Sequence, residues 1–305
     1  MISEAWHKYY ALASLQKTCI FEPMSEQIIN TGLYPVDQLS TPDAQDWIAQ
    51  LRTRLEQDGS CTLPNFVTSR VLAEMTQQAQ SIAHLAYPGP TEVSPYFFNY
   101  RLGEGEELPS SHPLKRKGKR NLAQVAADLI PTDFLLSQLY HGKLMLDFLA
   151  AVTEKTIYRN QDPYQSLNIS VMDQDGCQQW HFDSGHMVTT LLLQEPEAGG
   201  VFEYVPGIRS ETGENFDAVE AVLEGNSERV LSNHLQAGTL SLFRGHYSLH
   251  RVTPVEGKRQ RIQAILGYST KPNLFGSKES SILHYGPRVA EIETINPHYP
   301  EQVVT

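Results

Sequence analysis

Trp180-His181-Phe182-Asp183-Ser184-Gly185-His186 is the stretch on which the reading of this chain turns. His181 and Asp183 stand two apart, so in an extended segment both side chains point to the same face. An imidazole and a carboxylate then converge on one point without special backbone geometry. A third donor of the same kind lies far along the chain, in Gly245-His246-Tyr247-Ser248-Leu249-His250-Arg251-Val252-Thr253-Pro254-Val255. His250 is distant enough for several strands to return alongside the first. His186 and His246 compete for the same roles. His186 lies beyond a Ser-Gly turn, and His246 would share a strand face with His250.

Two imidazoles and one carboxylate on one face, with open positions opposite, suit non-heme Fe(II) that binds a bidentate co-substrate and dioxygen. A 2-oxo diacid would also need a fixed cation for its far carboxylate, and arginine meets it with two parallel hydrogen bonds. Gly257-Lys258-Arg259-Gln260-Arg261-Ile262 offers Arg259 and Arg261. On a strand both would lie on one face, with Ile262, Ala264 and Leu266 forming the apolar opposite face.

Around these residues the second half of the chain reads as β structure. Runs at 167–172, 187–193, 201–205, 238–243 and 261–268 are rich in β-branched and aromatic residues and are separated by Gly, Pro, Asp and Asn. One helix is expected over 216–223. The first half carries helix signals instead. Thr41-Pro42-Asp43 is a cap, a first-turn proline and an early acid, with Trp47, Ile48, Leu51 and Leu55 at helical spacing and Gly59 as the stop. A short strand at 60–64, a helix over 67–85 and a helix or helix pair over 134–152, divided near Gly142, follow. Residues 87–120 read as loop. Their basic run, Lys115-Arg116-Lys117-Gly118-Lys119-Arg120, reads as a solvated loop face, with a nuclear-localisation signal or a mobile cover as alternatives. Short strands after a helical start predict an α+β fold: an antiparallel sandwich or barrel buttressed by helices.

The order of these features resembles the Fe(II)/2-oxoglutarate-dependent oxygenases with a double-stranded β-helix (jelly-roll, cupin-like) core. The resemblance is carried by Trp180-His181-Phe182-Asp183, by Gly199-Gly200-Val201-Phe202-Glu203-Tyr204, by Gly238-Thr239-Leu240-Ser241-Leu242-Phe243 and by His250 through Arg261. It covers roughly residues 160–270. It implies that His181, Asp183 and His250 bind Fe(II), and that Arg261 on the last core strand, or Arg259, holds 2-oxoglutarate. Asn168 would add a hydrogen bond to the co-substrate or be satisfied by backbone. Within the superfamily the chain is most similar to the radical halogenases and hydroxylases of free amino acids. Halogenases of that group carry Gly in place of the metal carboxylate. Asp183 therefore implies the hydroxylase type, with O2 as oxidant, succinate and CO2 as products, and an amino acid or small amine as substrate. A cupin-like metal enzyme without 2-oxoglutarate, or a jelly-roll binding protein, would not need the arginines.

The 305 residues are expected to form one catalytic domain: a helical buttress and lid over 1–159, the core over 160–272 and a tail over 273–305. A formal net charge of −11 argues against nucleic-acid partners. No stretch has the ~20 apolar residues of a membrane span. Three cysteines without CxxC spacing, and no secretory signal, predict reduced thiols in a cytoplasmic protein. Arg101 is a further candidate for a substrate carboxylate, beside the plainer reading of a surface ion pair. Trp180 and Phe182 are expected to pack, and Glu203 to be solvated or salt-bridged.

Overall fold

The computed structural model describes residues 28–99, 102 and 107–299; Cys19 and Arg101 lie outside the described residues. Thr41 caps the first helix, α1 (Pro42–Asp58), its hydroxyl accepting from Ala44 N at 3.4 Å, and Gly59 ends it at φ 64°. That left-handed turn is cheap only for glycine. Helix α2 (Ser69–Ile82) follows, and then α3 (Leu135–His141) and α4 (Lys143–Thr153), parted at Gly142 as the sequence predicts. The later helix α5 (Phe216–Leu223) also lies where expected.

Two six-stranded antiparallel sheets form the centre of the fold. The major sheet joins β1 (Ser60–Leu63), β4 (Ala123–Val125), β5 (Leu167–Met172), β7 (Val188–Gln194), β10 (Leu240–Phe243) and β12 (Arg261–Leu266), in the order β1-β10-β7-β12-β5-β4. The minor sheet joins β2 (Glu92–Val93), β3 (Gly118–Asn121), β6 (Cys177–His181), β8 (Phe202–Val205), β9 (Leu231–Asn233) and β11 (Leu249–Val252), in the order β9-β8-β11-β6-β3-β2. From β5 to β12 the core strands alternate between the sheets, as in a jelly roll, except for the β8–β9 pair, which stays within the minor sheet.

Strand periodicity decides what faces where. On β12, Ile262, Ala264 and Leu266 are buried in one apolar core with Ile48, Leu51, Met75, Leu139 and Phe148 of the helices. Gln263 and Ile265, on the opposite face, line the cavity between the sheets. The helices therefore cover the outer face of the major sheet and leave the inner face to the site.

Two expectations are corrected. Residues 87–120 are not all loop, because β2 and β3 extend the minor sheet beside β6. Arg120, read as part of a solvated basic run, is 3% exposed, since its register opposite Gln178 turns it inward. The tail contains two helices, α6 (Lys278–Tyr285) and α7 (Arg288–Ile295). Among the described residues no helix is long and apolar enough to cross a membrane.

Candidate metal centre

Strands β6 and β11 are neighbours, with His250 directly opposite His181. Asp183, just past the end of β6, brings its carboxylate between them. Its Oδ1 is 3.7 Å from His181 Nε2 and its Oδ2 is 3.2 Å from His250 Nε2. One ligand atom from each of the three residues lies within 4.8 Å of the others, and this is the one such group of three among the described residues. Metal bonds of about 2.1 Å place neighbouring octahedral ligands about 3 Å apart, close to these spacings.

Both imidazoles are oriented for the task. His181 Nδ1 donates to Gln179 O and His250 Nδ1 donates to Ser248 O, each at 2.9 Å. That holds each ring with its Nε2 turned toward the carboxylate, and at His181 leaves a lone pair there. Burial, and then His250, push His181 down to about 3. Burial works against the charged form of Asp183, but the imidazoles, His250 first, more than offset it, so its pKa lies below the usual value. A neutral imidazole beside an ionised carboxylate is a ligand set that needs no deprotonation to accept a cation. The competing contact is Gln178, whose amide nitrogen is 3.0 Å from His181 Nε2. That lone pair cannot serve a metal and this bond together, so Gln178 must yield to a metal.

Gln178 reaches the site through a register shift. His250 faces His181, but Val252 faces Gln178, so β6 carries one extra residue. A bulge of this kind re-aims a side chain next to a site. The sequence contained no signal for it.

The competing histidines lie elsewhere. His186 and His246 stack on each other with ring centroids 4.9 Å apart. His186 Nδ1 lies 2.9 Å from Tyr247 Oη, whose own hydrogen goes to Glu211, and His246 meets Arg209. Trp180 and Phe182 are buried, and Glu203 pairs with Arg251 at 2.6 Å.

The two candidate arginines part company. Strand β12 begins at Arg261, so Arg259 does not share its strand or face. Arg259 is exposed and donates to the carbonyls of Glu195 and Pro196. Arg261 is 2% exposed and donates to Gly200 O at 3.2 Å and Gln263 Oε1 at 2.5 Å. No carboxylate pairs with it among the described residues. Burial pushes its pKa down to about 10, a measure of the cost of leaving the charge uncompensated. Gln263 stands between it and the cavity.

That cavity, of about 290 Å³, is lined by all three triad residues and by Asn168. Asn168 is buried, and its Oδ1 accepts from Gln124 Nε2 at 3.0 Å. Gln124 Oε1 in turn accepts from Arg120 at 2.9 Å. Arg120 lines the same cavity as a second buried guanidinium. It donates to the carbonyls of Pro88 and Pro90, while its Nε has no partner among the described residues. Sequence reasoning missed it because a basic run gives no sign of which member is turned inward.

Comparison with known proteins agrees with this geometry. Among solved structures, the chain is similar to SnoN, a non-heme alpha ketoglutarate dependent epimerase from nogalamycin biosynthesis, at 11% identity. The match covers 73% of this chain and 80% of that one, with a TM-score of 0.51. It is also similar to AviO1 from Streptomyces viridochromogenes Tue57, at 14% identity over 73% of this chain and 95% of that one, with a TM-score of 0.50. These likenesses are of fold alone, and they agree with reading the two sheets as a jelly-roll core. No curated protein matches the chain. Residues 110–281, more than half the chain and including the triad and Arg261, match the family model described as Halogenase D. The chain belongs to the Halogenase D family.

Proposed function

We propose that the protein is an Fe(II)- and 2-oxoglutarate-dependent oxygenase that hydroxylates an aliphatic C–H of a free amino acid or small amine-bearing metabolite. One observation carries the reading: the His181-Asp183-His250 group and a buried arginine without a carboxylate partner face into one barrel. A binding module has no need of both, and a cupin-like enzyme without 2-oxoglutarate has no need of Arg261.

In this reading His181 and His250 bind the metal through Nε2 and Asp183 through its carboxylate. Bound Fe(II) with 2-oxoglutarate and O2 supplies the C–H oxidation, with succinate and CO2 as by-products. Arg261 takes the far carboxylate of 2-oxoglutarate once Gln263 releases it. Asn168 is a second co-substrate contact, held in place by Gln124. Phe202, Phe243 and Val252 line the cavity around His250 and keep water from the reacting centre. Asp183 supports hydroxylation over halogenation, since its carboxylate fills the position that the family's halogenases leave open. Arg120 supports a substrate with a carboxylate of its own, and therefore an amino acid over a simple amine.

The test is succinate release with Fe(II), ascorbate, 2-oxoglutarate and a panel of amino acids and small amines under oxygen. Release no greater than that of an Asp183→Ala, His250→Ala double variant would refute the proposal. Anaerobic addition of 2-oxoglutarate to the iron-loaded protein should give a weak visible charge-transfer band.

A further inference from the structure

The residues that line the cavity are not confined to the segment matched by the family model. Helix α6 lies within the tail, and its second half, beyond residue 281, delivers His284 and Tyr285 to the cavity. Phe98, before the matched segment, stacks on the His284 ring at 5.7 Å and 10°, and lies 6.1 Å from the His181 ring. Phe97 meets the same ring edge-on at 5.4 Å. His284 is thus clamped by two aromatic rings within one residue of the metal centre.

Its hydrogen bonding is half complete. Nδ1 donates to Ser280 O, one turn back on α6, at 2.8 Å. The ring is 7% exposed, and burial pushes its pKa down to about 4, so the imidazole is neutral. With the proton on Nδ1, Nε2 is a bare acceptor on the edge of the ring away from Ser280. It is buried and has no partner among the described residues. Leaving such a group unmet costs about 1–3 kcal/mol, and native proteins rarely tolerate it without a use. Arg120, with its own unmet Nε–H, lies under the same helix: its Nη1 and the Leu283 carbonyl both flank Gly89.

We infer that His284 is a substrate-recognition residue: its Nε2 accepts a hydrogen bond from an N–H or O–H group of the substrate, whose carboxylate is held by Arg120. This rests on the function proposed above and adds a determinant outside the segment shared with the family. An unmet acceptor and an unmet cationic donor lining one cavity select a molecule carrying both a donor and an acid group. A simple carboxylic acid satisfies only Arg120 and leaves Nε2 orphaned.

The probes are norleucine, 2-hydroxyhexanoate and hexanoate, which share a chain and a carboxylate and differ in the donor. Binding is read from the change each causes in the charge-transfer band of the full-length protein loaded with Fe(II) and 2-oxoglutarate under nitrogen. The wild type should bind the two donor-bearing probes at least about tenfold more tightly than hexanoate. His284→Phe keeps the aromatic stack and should abolish that preference while leaving hexanoate and 2-oxoglutarate binding unchanged. His284→Gln, which restores an acceptor, should recover part of it. If donor-bearing probes bind no better than hexanoate, or if His284→Phe keeps the preference, the inference is overturned. A His284 that merely packs would change the melting temperature and not the preference. Failure of the underlying function would show separately, as absence of the charge-transfer band in the wild type before any probe is added.

Discussion

Asp183 rests directly on Gly245: a Cβ built at residue 245 would stand 1.9 Å from Asp183 Oδ2 and 2.8 Å from its Cγ. The two are also joined through the backbone, Asp183 N donating to Gly245 O at 3.1 Å. The loop after β10 therefore presents bare backbone to the carboxylate, and that is what lets the carboxylate sit between the two imidazoles.

Gly245→Ala is expected to expel the Asp183 carboxylate from its place while leaving the sheets intact. Iron affinity should fall about 10–100-fold, the usual cost of disturbing a ligand's support. Metal content after dialysis measures this, and far-ultraviolet circular dichroism checks the fold. In an Asp183→Ala background the same substitution should cost less stability, because most of the clash is gone.

Arg261→Ala should raise the apparent KM for 2-oxoglutarate by more than about tenfold, since a charge-assisted two-pronged contact is lost. Arg259→Ala, which removes only bonds to two carbonyls in an exposed turn, should change it by less than about twofold. Steady-state kinetics on both variants decide the matter, and the reverse order would transfer the role to Arg259.

Acid should weaken the C-terminal helices through Glu293. Burial alone would raise its pKa. Tyr164 Oη at 2.6 Å, together with His298 N at 2.9 Å and Nδ1 at 2.8 Å, instead lowers it from 4.5 to about 2. A depressed folded-state value means stability that is present above 4.5 and is lost as pH falls toward 2. The melting-temperature gap between wild type and Glu293→Gln should thus be widest near neutrality and should close as pH falls below 4.5. A gap that stays constant across that window would contradict the assignment.

Phe148 is fully buried between Trp47, at 5.5 Å, and Phe66, at 6.0 Å, in the core that also holds Leu191 and Ala264 of the major sheet. If helices and sheets form one domain, Phe148→Ala should destabilise the whole by about 3–5 kcal/mol in a single transition. Calorimetry with two separate transitions would instead mean that the helical half folds alone.

Much of this was legible in residue order. Thr41, Pro42 and Gly59 mark helix α1 because caps and left-handed turns are local chemistry. The alternation of β12 separates Ile262, Ala264 and Leu266 from the inner face because strand period is local geometry. The pairing of His181 with Asp183 follows from the same period, and His250 from its place in the order of strands. Arg261 was favoured by its place on the last core strand, but Arg259 stayed a rival on the same expected face, because where a strand begins depends on the neighbour that accepts its hydrogen bonds.

The sequence by itself determined the α+β class and the apolar face of the last core strand, since both follow from spacing along the chain, and its resemblance to the 2-oxoglutarate oxygenases singled out His181, Asp183 and His250. Only the tertiary structure decided which charges are buried. Arg120 turns inward because β3 pairs with β6, Gln178 reaches His181 because β6 bulges against β11, and His284 meets the cavity because the tail folds back as α6. Each is a contact between residues far apart in the chain, and long-range register carries no local signature.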